Sequence, residues 1–175
     1  NVPIVFRGPN GSAGQLASTH SQSFEVIFSH IPGLKVISTI VPQYAKGLLK
    51  SAIRDNDPVI FLESESAYGD KGPVPEGEYL IPIGAAAVRK RGSDATLVTY
   101  GKTITVAAAA VEELSKDGIS CELIELRTIR PLDFQTIIES VKKTNRHVVV
   151  EETWPMCSVA SEITFHVQRH AFDYL

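Results

Sequence analysis

Val2-Pro3-Ile4-Val5-Phe6-Arg7-Gly8-Pro9-Asn10-Gly11 is an apolar run that ends in a turn, and His20-Ser21-Gln22-Ser23 follows it closely. The run predicts a short buried strand, Val2 to Phe6, leading into a Gly/Pro/Asn turn. A polar loop then carries an imidazole to the start of a helix. Open α/β sheets place their chemistry at this position, outside the carboxyl ends of the strands. The chain opens on the strand without an initiator Met, so it reads as a piece of a longer protein.

Outward from this stretch the pattern alternates. Gln22 to His30 reads as a helix with Phe24, Ile27 and Phe28 on one side, Ser21 or Ser23 as its cap, and Glu25 at the positive end of its dipole. Pro32-Gly33 ends it. A strand from Leu34 to Ser38, a helix from Gln43 to Arg54 and a strand from Val59 to Glu63 come next. The stretch Tyr68 to Pro82 holds Gly69, Gly72, Pro73, Pro75 and Gly77, a composition that suits neither helix nor strand interiors and reads as a linker. A second series begins with a strand from Ala95 to Tyr100. Thr103 caps a helix from Ile104 to Lys116, and a strand from Ser120 to Leu126 succeeds it. A helix from Asp133 to Lys143, a continuous buried strand from His147 to Val150 and a helix from Ser158 to His170 complete it. Strands alternating with helices predict an α/β fold of two successive three-layer βα modules with parallel sheets. The expected division is 1–66, a linker 67–84, and 85–175.

The composition narrows the function. The chain of 175 residues suits one domain or two small ones, and 43% hydrophobic residues can fill a normal core. A net charge of −3 argues against nucleic acid or an anionic membrane as partner, because phosphate affinity needs a basic surplus. No apolar run is long enough to span a bilayer. No signal peptide is visible, though a truncated N-terminus could hide one. Cys121 and Cys157, two cysteines without metal-like spacing, suggest a reduced, intracellular protein.

Several residues invite chemical readings, each with a plainer alternative. His20 can exchange a proton near neutral pH, or simply make a capping hydrogen bond in its loop. His166 and His170 have the i,i+4 spacing of two metal ligands, but no HExxH motif accompanies them, and surface histidines are the favoured reading. Gly101-Lys102-Thr103 lacks the upstream glycine of a phosphate loop and reads as a capped helix start. Arg127 and Arg130 could grip an anion, but structural arginines on loop carbonyls are favoured. Glu151-Glu152 could do acid–base work, whereas Trp154-Pro155 looks like a packing turn or a subunit interface. The turn Ala52 to Pro58 could gather helix-end carbonyls around a cation, or be an ordinary turn built on Asp55 and Asn56.

Taken together, these segments resemble one family. The matching stretches are Val2 to Gly11, His20-Ser21-Gln22, Pro32 to Val36, Ala45 to Asp55, Leu80 to Gly84, Arg127 to Asp133 and Ala171 to Leu175. They resemble the β subunits of heterotetrameric 2-oxo acid dehydrogenase E1 components, within the transketolase-like, thiamine diphosphate-dependent family. Arg7 to Gly11 and Ile129-Arg130-Pro131 look more like the pyruvate type than the branched-chain or acetoin types. The resemblance implies the end of a pyrimidine-binding domain followed by an incomplete transketolase C-terminal domain. It implies oxidative decarboxylation of pyruvate and reductive acetylation of the E2 lipoyl group, towards acetyl-CoA. His20 matches the active-site histidine of the β subunit. Main-chain oxygens of Ile4, Ala52, Ile53, Asp55 and Asp57 match a structural potassium site, expected to tie the first strand to the turn and so steady the loop bearing His20. The implied partners are an E1 α subunit that also holds magnesium and the diphosphate, a second β subunit and the E2 dihydrolipoyl acetyltransferase. The implied setting is a bacterial cytoplasm or a mitochondrial matrix.

The chain departs from the family at Thr19, where Gln is usual, and at Asp57, where Asn is common. The glutamate that activates the cofactor's aminopyrimidine is expected upstream of residue 1, and the stretch that helps dock E2 beyond Leu175. The chain by itself is therefore expected to be inactive.

Overall fold

The structure is a computed structural model that describes residues 1–12 and 16–175, with Thr19 and His20 described by their backbone alone. In chain order the elements are β1 (Val5–Pro9), α1 (Ala17–His20), α2 (Glu25–Ser29), β2 (Lys35–Ser38), α3 (Pro42–Ile53), β3 (Val59–Glu63), β4 (Ala87–Lys90), β5 (Ala95–Thr99), α4 (Thr103–Lys116), β6 (Cys121–Glu125), β7 (Thr128–Arg130), α5 (Phe134–Thr144), β8 (His147–Val150) and α6 (Val159–Ala171). The chain divides into two compact units. One is Asn1–Ala85 with Arg127–Leu132; the other is Ala86–Leu126 with Asp133–Leu175.

The first unit holds a four-stranded sheet in the order β1-β3-β2-β7. β3 pairs in parallel with β1 and β2, so Val59 lies opposite both Val5 and Lys35. The core is Ile37, Leu48, Ala52, Val59 and Phe61, with Val5, Tyr44, Leu49, Ile81 and Ile83 packed against it. Each large side chain removed from water there contributes roughly 1.5–3 kcal/mol. α2 is shorter than expected and starts after Phe24, with no side-chain cap from Ser21 or Ser23. The Phe24 amide donates instead to a side chain at the end of β1, that of Asn10.

The expected linker is only partly a linker. Tyr79 donates its hydroxyl to the Gln43 carbonyl at 2.7 Å, and the Ile81 carbonyl accepts from the Ser51 hydroxyl at 2.6 Å. Residues 79–83 thus lie along α3. Their approach explains a glycine inside that helix. A Cβ on Gly47 would come within 2.8 Å of Ile81 and Tyr79 side-chain atoms. The sequence composition hides this packing because Tyr79, Ile81 and Ile83 are interleaved with Leu80, Pro82 and Gly84.

The second unit holds a sheet in the order β4-β6-β5-β8. β5 is parallel to β6 and β8, with helices α4, α5 and α6 in the same unit. Neither sheet is wholly parallel, which corrects the sequence expectation. β7 runs antiparallel to β2, and β4 antiparallel to β6. Both strands are short, three and four residues, and neither shows a period-2 pattern long enough to detect. Residues 127–132 form the outer strand of the first sheet and its flanks. β8 is likewise an edge strand rather than a buried one, with Val148 47% exposed. Its apolar run mimics a central strand because edge and centre share β-branched residues.

The turn between β4 and β5 lies directly over β6. Ser93 and Asp94 amides donate to the Ser120 carbonyl, and a Cβ on Gly92 would fall 2.2 Å from the Cys121 carbonyl carbon. Backbone cannot yield as a side-chain tip can. Gly92→Ala is therefore expected to destabilise the chain by about 3 kcal/mol or more, read from the urea midpoint. An unchanged midpoint would contradict this placement of the turn.

Candidate functional site

β1 ends at Pro9, and side chains around it pin the residues on either side of that end. Arg7 forms an ion pair with Glu63 at 2.6 Å, and Tyr68 donates to the same carboxylate at 3.1 Å. The next residue after the strand, Asn10, is buried and uses its backbone and both ends of its side chain. Its amide N–H donates to the Glu63 carbonyl at 2.6 Å. Its Oδ1 accepts the Phe24 amide at 2.7 Å, and its Nδ2 donates to Glu25 Oε1 at 2.6 Å. Asn10 thereby meets the amide at the start of α2 that no local serine reaches. The Gly11 amide donates to the Gln22 carbonyl at 2.7 Å, with Gly11 at φ +78°.

Glu25 was expected in the first turn of the helix, as a partner of its dipole. It is also 2% exposed. Besides Asn10, its Oε1 accepts from the Ser38 hydroxyl at 3.0 Å. A buried carboxylate is costly unless hydrogen bonds meet it, and these two cross-links meet its Oε1. Sequence reading missed this pairing because Asn10 and Glu25 are 15 residues apart, and each has a sufficient local role as a turn former or a dipole partner. The backbone of His20 falls in α1, inside the loop that Asn10, Gly11, Gln22 and Phe24 close. The His20 side chain lies outside the described residues.

The five oxygen-bearing residues expected around a cation lie at the other end of the same sheet. Ile4 precedes β1, and Ala52 to Asp57 join α3 to β3. The Ile4 carbonyl accepts the Val59 amide at 2.9 Å, and the Ala52 carbonyl accepts the Asp55 amide at 3.2 Å. Each carbonyl oxygen keeps a second lone pair, and oxygen donors at a helix end with nearby carboxylates suit a hard cation. A positive charge is already present. Lys35 Nζ lies 2.7 Å from both Asp55 carboxylate oxygens and 3.2 Å from Asp57 Oδ2. Burial pushes the Asp55 carboxyl up, but Lys35 and the amides of Asp57 and Asn56 outweigh it and leave its pKa below the ordinary value. Lys35 is raised in turn, first by its hydrogen bond to Asp55.

The five-residue strand β1 separates this turn from the loop bearing His20 by about 16 Å, at ~3.3 Å per residue. An ion at the turn would therefore reach that loop only through the length of the strand. The loop's own ends are held locally by Asn10 and Glu25.

The remaining constellations have structural partners. Arg127 donates from Nε and Nη2 to the Ala85 carbonyl at 3.0 and 2.7 Å and covers the Tyr44 ring. Arg130 donates to the Ser29 carbonyl at 2.7 Å. Thr103 does not cap α4 with its hydroxyl, which donates back to the Tyr100 carbonyl at 2.7 Å. Glu151 accepts from the Tyr100 hydroxyl at 2.7 Å and faces the Ala160 amide at 3.3 Å, beside the Ser158 cap of α6. Trp154 is 76% exposed, so a core role for it is excluded. His166 is not a free surface group. It stacks on Phe134 with ring centroids 3.7 Å apart and pairs with Glu162 at 3.2 Å. Together with His170 and Lys142 it lines a cavity of about 320 Å³ along α5 and α6. Among the described residues, no group of three His, Cys, Asp or Glu could hold a metal, and no helix is long and apolar enough to cross a membrane.

A βα sheet with a clamped, histidine-bearing loop at its carboxyl edge, followed by a second βα unit, has a known counterpart. The chain belongs to the transketolase family, with residues 1–71 matching "Transketolase, pyrimidine binding domain" and 84–175 matching "Transketolase, C-terminal domain". Its relatives are more particular. It is 53% identical over 175 residues to the pyruvate dehydrogenase E1 component subunit beta of Rhizobium meliloti (strain 1021), covering 99% of this chain and 38% of that protein. The mitochondrial subunit beta of Drosophila melanogaster is 52% identical, with 97% of this chain and 47% of that protein covered. Mitochondrial subunit beta-1 of Oryza sativa subsp. japonica is 48% identical, with 100% and 48% covered. The chain thus spans about half the length of these relatives or less. A solved chain described as "Split gene transketolase, inactive beta4 tetramer" superposes with a TM-score of 0.81 at 19% identity, covering 96% of this chain and 54% of that one, and shows the fold.

The Lys35–Asp55 pair generates a signed prediction. A depressed carboxyl pKa gives stability that is present above the unfolded value near 4 and is lost as pH falls through the folded value. Lys35→Met is expected to cost about 1 kcal/mol at pH 7 and less at pH 3, by urea unfolding at the two pH values. A cost that does not shrink in acid would contradict the pairing.

Proposed function

We propose that this chain is part of the β subunit of the E1 component of a pyruvate dehydrogenase. It would act with an α subunit and a second β subunit, and pass its acyl product to an E2 lipoyl group. The observation that carries this reading is identity of about half over the whole chain to subunits of that name. The pyruvate-type stretches Arg7 to Gly11 and Ile129 to Pro131 agree with it. The setting depends on the source: mitochondrial matrix for a eukaryote, cytoplasm for a bacterium.

Thiamine diphosphate, when bound, supplies the electron sink for decarboxylation. In this proposal the carboxyl edge meets only its reacting end, through His20, while the Asn10 side chain is already engaged with the protein. Magnesium and the diphosphate are assigned to the α subunit. In this proposal a His20 ring nitrogen holds or returns a proton beside the reacting centre, which a group titrating near neutrality can do in both directions. The carbonyls of Ile4, Ala52, Ile53, Asp55 and Asp57 would hold potassium, and the ion would tie β1 to the α3–β3 turn. Its effect would be on the stability of that end of the sheet rather than on His20.

The test is made on the full-length subunit assembled with its α partner, thiamine diphosphate and magnesium. Dye-coupled oxidation is expected to be strong with pyruvate and weak with a branched-chain 2-oxo acid; the reverse preference would overturn the substrate. His20→Ala should lower kcat by about 10²–10⁴-fold with assembly intact. Wild-type turnover in that variant would remove the histidine from the reaction. Replacing potassium chloride with choline chloride should lower the melting temperature, and an identical value in both salts would count against the ion site.

A further inference from the structure

We infer that Asn10 and Glu25 are positioning residues for the loop that carries His20, acting through one buried hydrogen-bonded clamp. This rests on the role proposed for His20. The chain leaves β1 at Gly11 and returns to α2 after Gln22, and closing such a loop costs entropy that its end contacts must offset. Its two ends are held at one place. Asn10 Nδ2 donates to Glu25 Oε1 at 2.6 Å, Asn10 Oδ1 accepts the Phe24 amide at 2.7 Å, and Gly11 bonds Gln22 main chain to main chain. The clamp is anchored in the sheet on two further sides, through the Asn10 amide on Glu63 and through Ser38 on Glu25.

Two features separate this arrangement from ordinary packing. First, it spends a carboxylate and a carboxamide, 2% and 5% exposed, where apolar side chains would fill the space at less desolvation cost. Second, each partner among the described residues lies at an end of the one loop or on a strand of the same sheet. A polar network of this kind fixes direction as well as distance, because each bond has a required angle. Asn10 suits the job by chemistry. It must accept from one backbone N–H and donate to one carboxylate at the same time, which an ionised Asp or an Ala cannot do.

The test uses the full-length subunit assembled with its α partner and cofactor, and reads two signals. Amide hydrogen exchange over residues 16–24 should accelerate at least tenfold in Asn10→Ala, while exchange in α3 and β3 stays unchanged. In the same variant kcat for pyruvate should fall about 10–100-fold with little change in KM, as expected for a misplaced group. Glu25→Gln keeps an acceptor oxygen for Asn10 and Ser38 and should retain most turnover, whereas Glu25→Ala should not. Asn10→Ala added to His20→Ala should cost little more than His20→Ala alone, because both act through one imidazole. Should Asn10→Ala fail to assemble, Ser38→Ala removes a single bond of the clamp and should still speed exchange over 16–24. Wild-type exchange in these variants would overturn the clamp. Full additivity with His20→Ala would overturn its action through the histidine. If the wild-type assembly turns over no 2-oxo acid, the proposed function fails while the exchange measurement still decides the clamp.

Discussion

Glu25 is a carboxylate at 2% exposure, and a charge in such a place destabilises a fold unless its lone pairs are met. Asn10 and Ser38 meet its Oε1 from two different strands or strand ends. Much of the first unit's loop geometry depends on that meeting. It lies where β1 stops and where α2 starts without a local cap. The core of Ile37, Leu48, Val59 and Phe61 supplies the stability. The polar contact supplies direction, which apolar packing alone specifies less well.

The two ends of this sheet divide the labour. At the amino end, Lys35 sits among Asp55 and Asp57, and the main chain offers carbonyls at the end of α3. At the carboxyl end, Arg7, Glu63 and Tyr68 pin the last residues of β1 before Asn10 closes the loop. A cation at the first end would stiffen the scaffold without touching the loop. That separation makes stability and chemistry independently adjustable in the proposed enzyme. The same division fits the general behaviour of α/β sheets, whose ligands gather at strand carboxyl ends.

Much of the architecture was legible from sequence. Val59 to Glu63, the Ala-rich α4 and the helix α5 each carry a strong local pattern. The short antiparallel strands were not legible. Thr128-Ile129-Arg130 has too few residues to show a period, and its partner β2 lies about ninety residues earlier in the chain. Residues 79–83 read as linker because proline and glycine dominate the local composition, although Tyr79 and Ile81 are anchored on α3. For the site, His20 stood out by its place after a strand and turn. Asn10 reads locally as a turn former and Glu25 as a dipole partner, and each reading is sensible at that range. What pairs them is the return of the chain at α2, a tertiary fact that no local pattern records. The proposed cation site was suggested by resemblance; its distance from the loop needed the register of β1 against β3.

The most direct test of the account is a crystal structure of the full-length subunit assembled with its α partner and thiamine diphosphate. The account predicts the His20 imidazole facing the cofactor's reacting end, with the Asn10–Glu25 hydrogen bond intact at the base of its loop. An imidazole turned away from the cofactor, with another residue in its place, would contradict it.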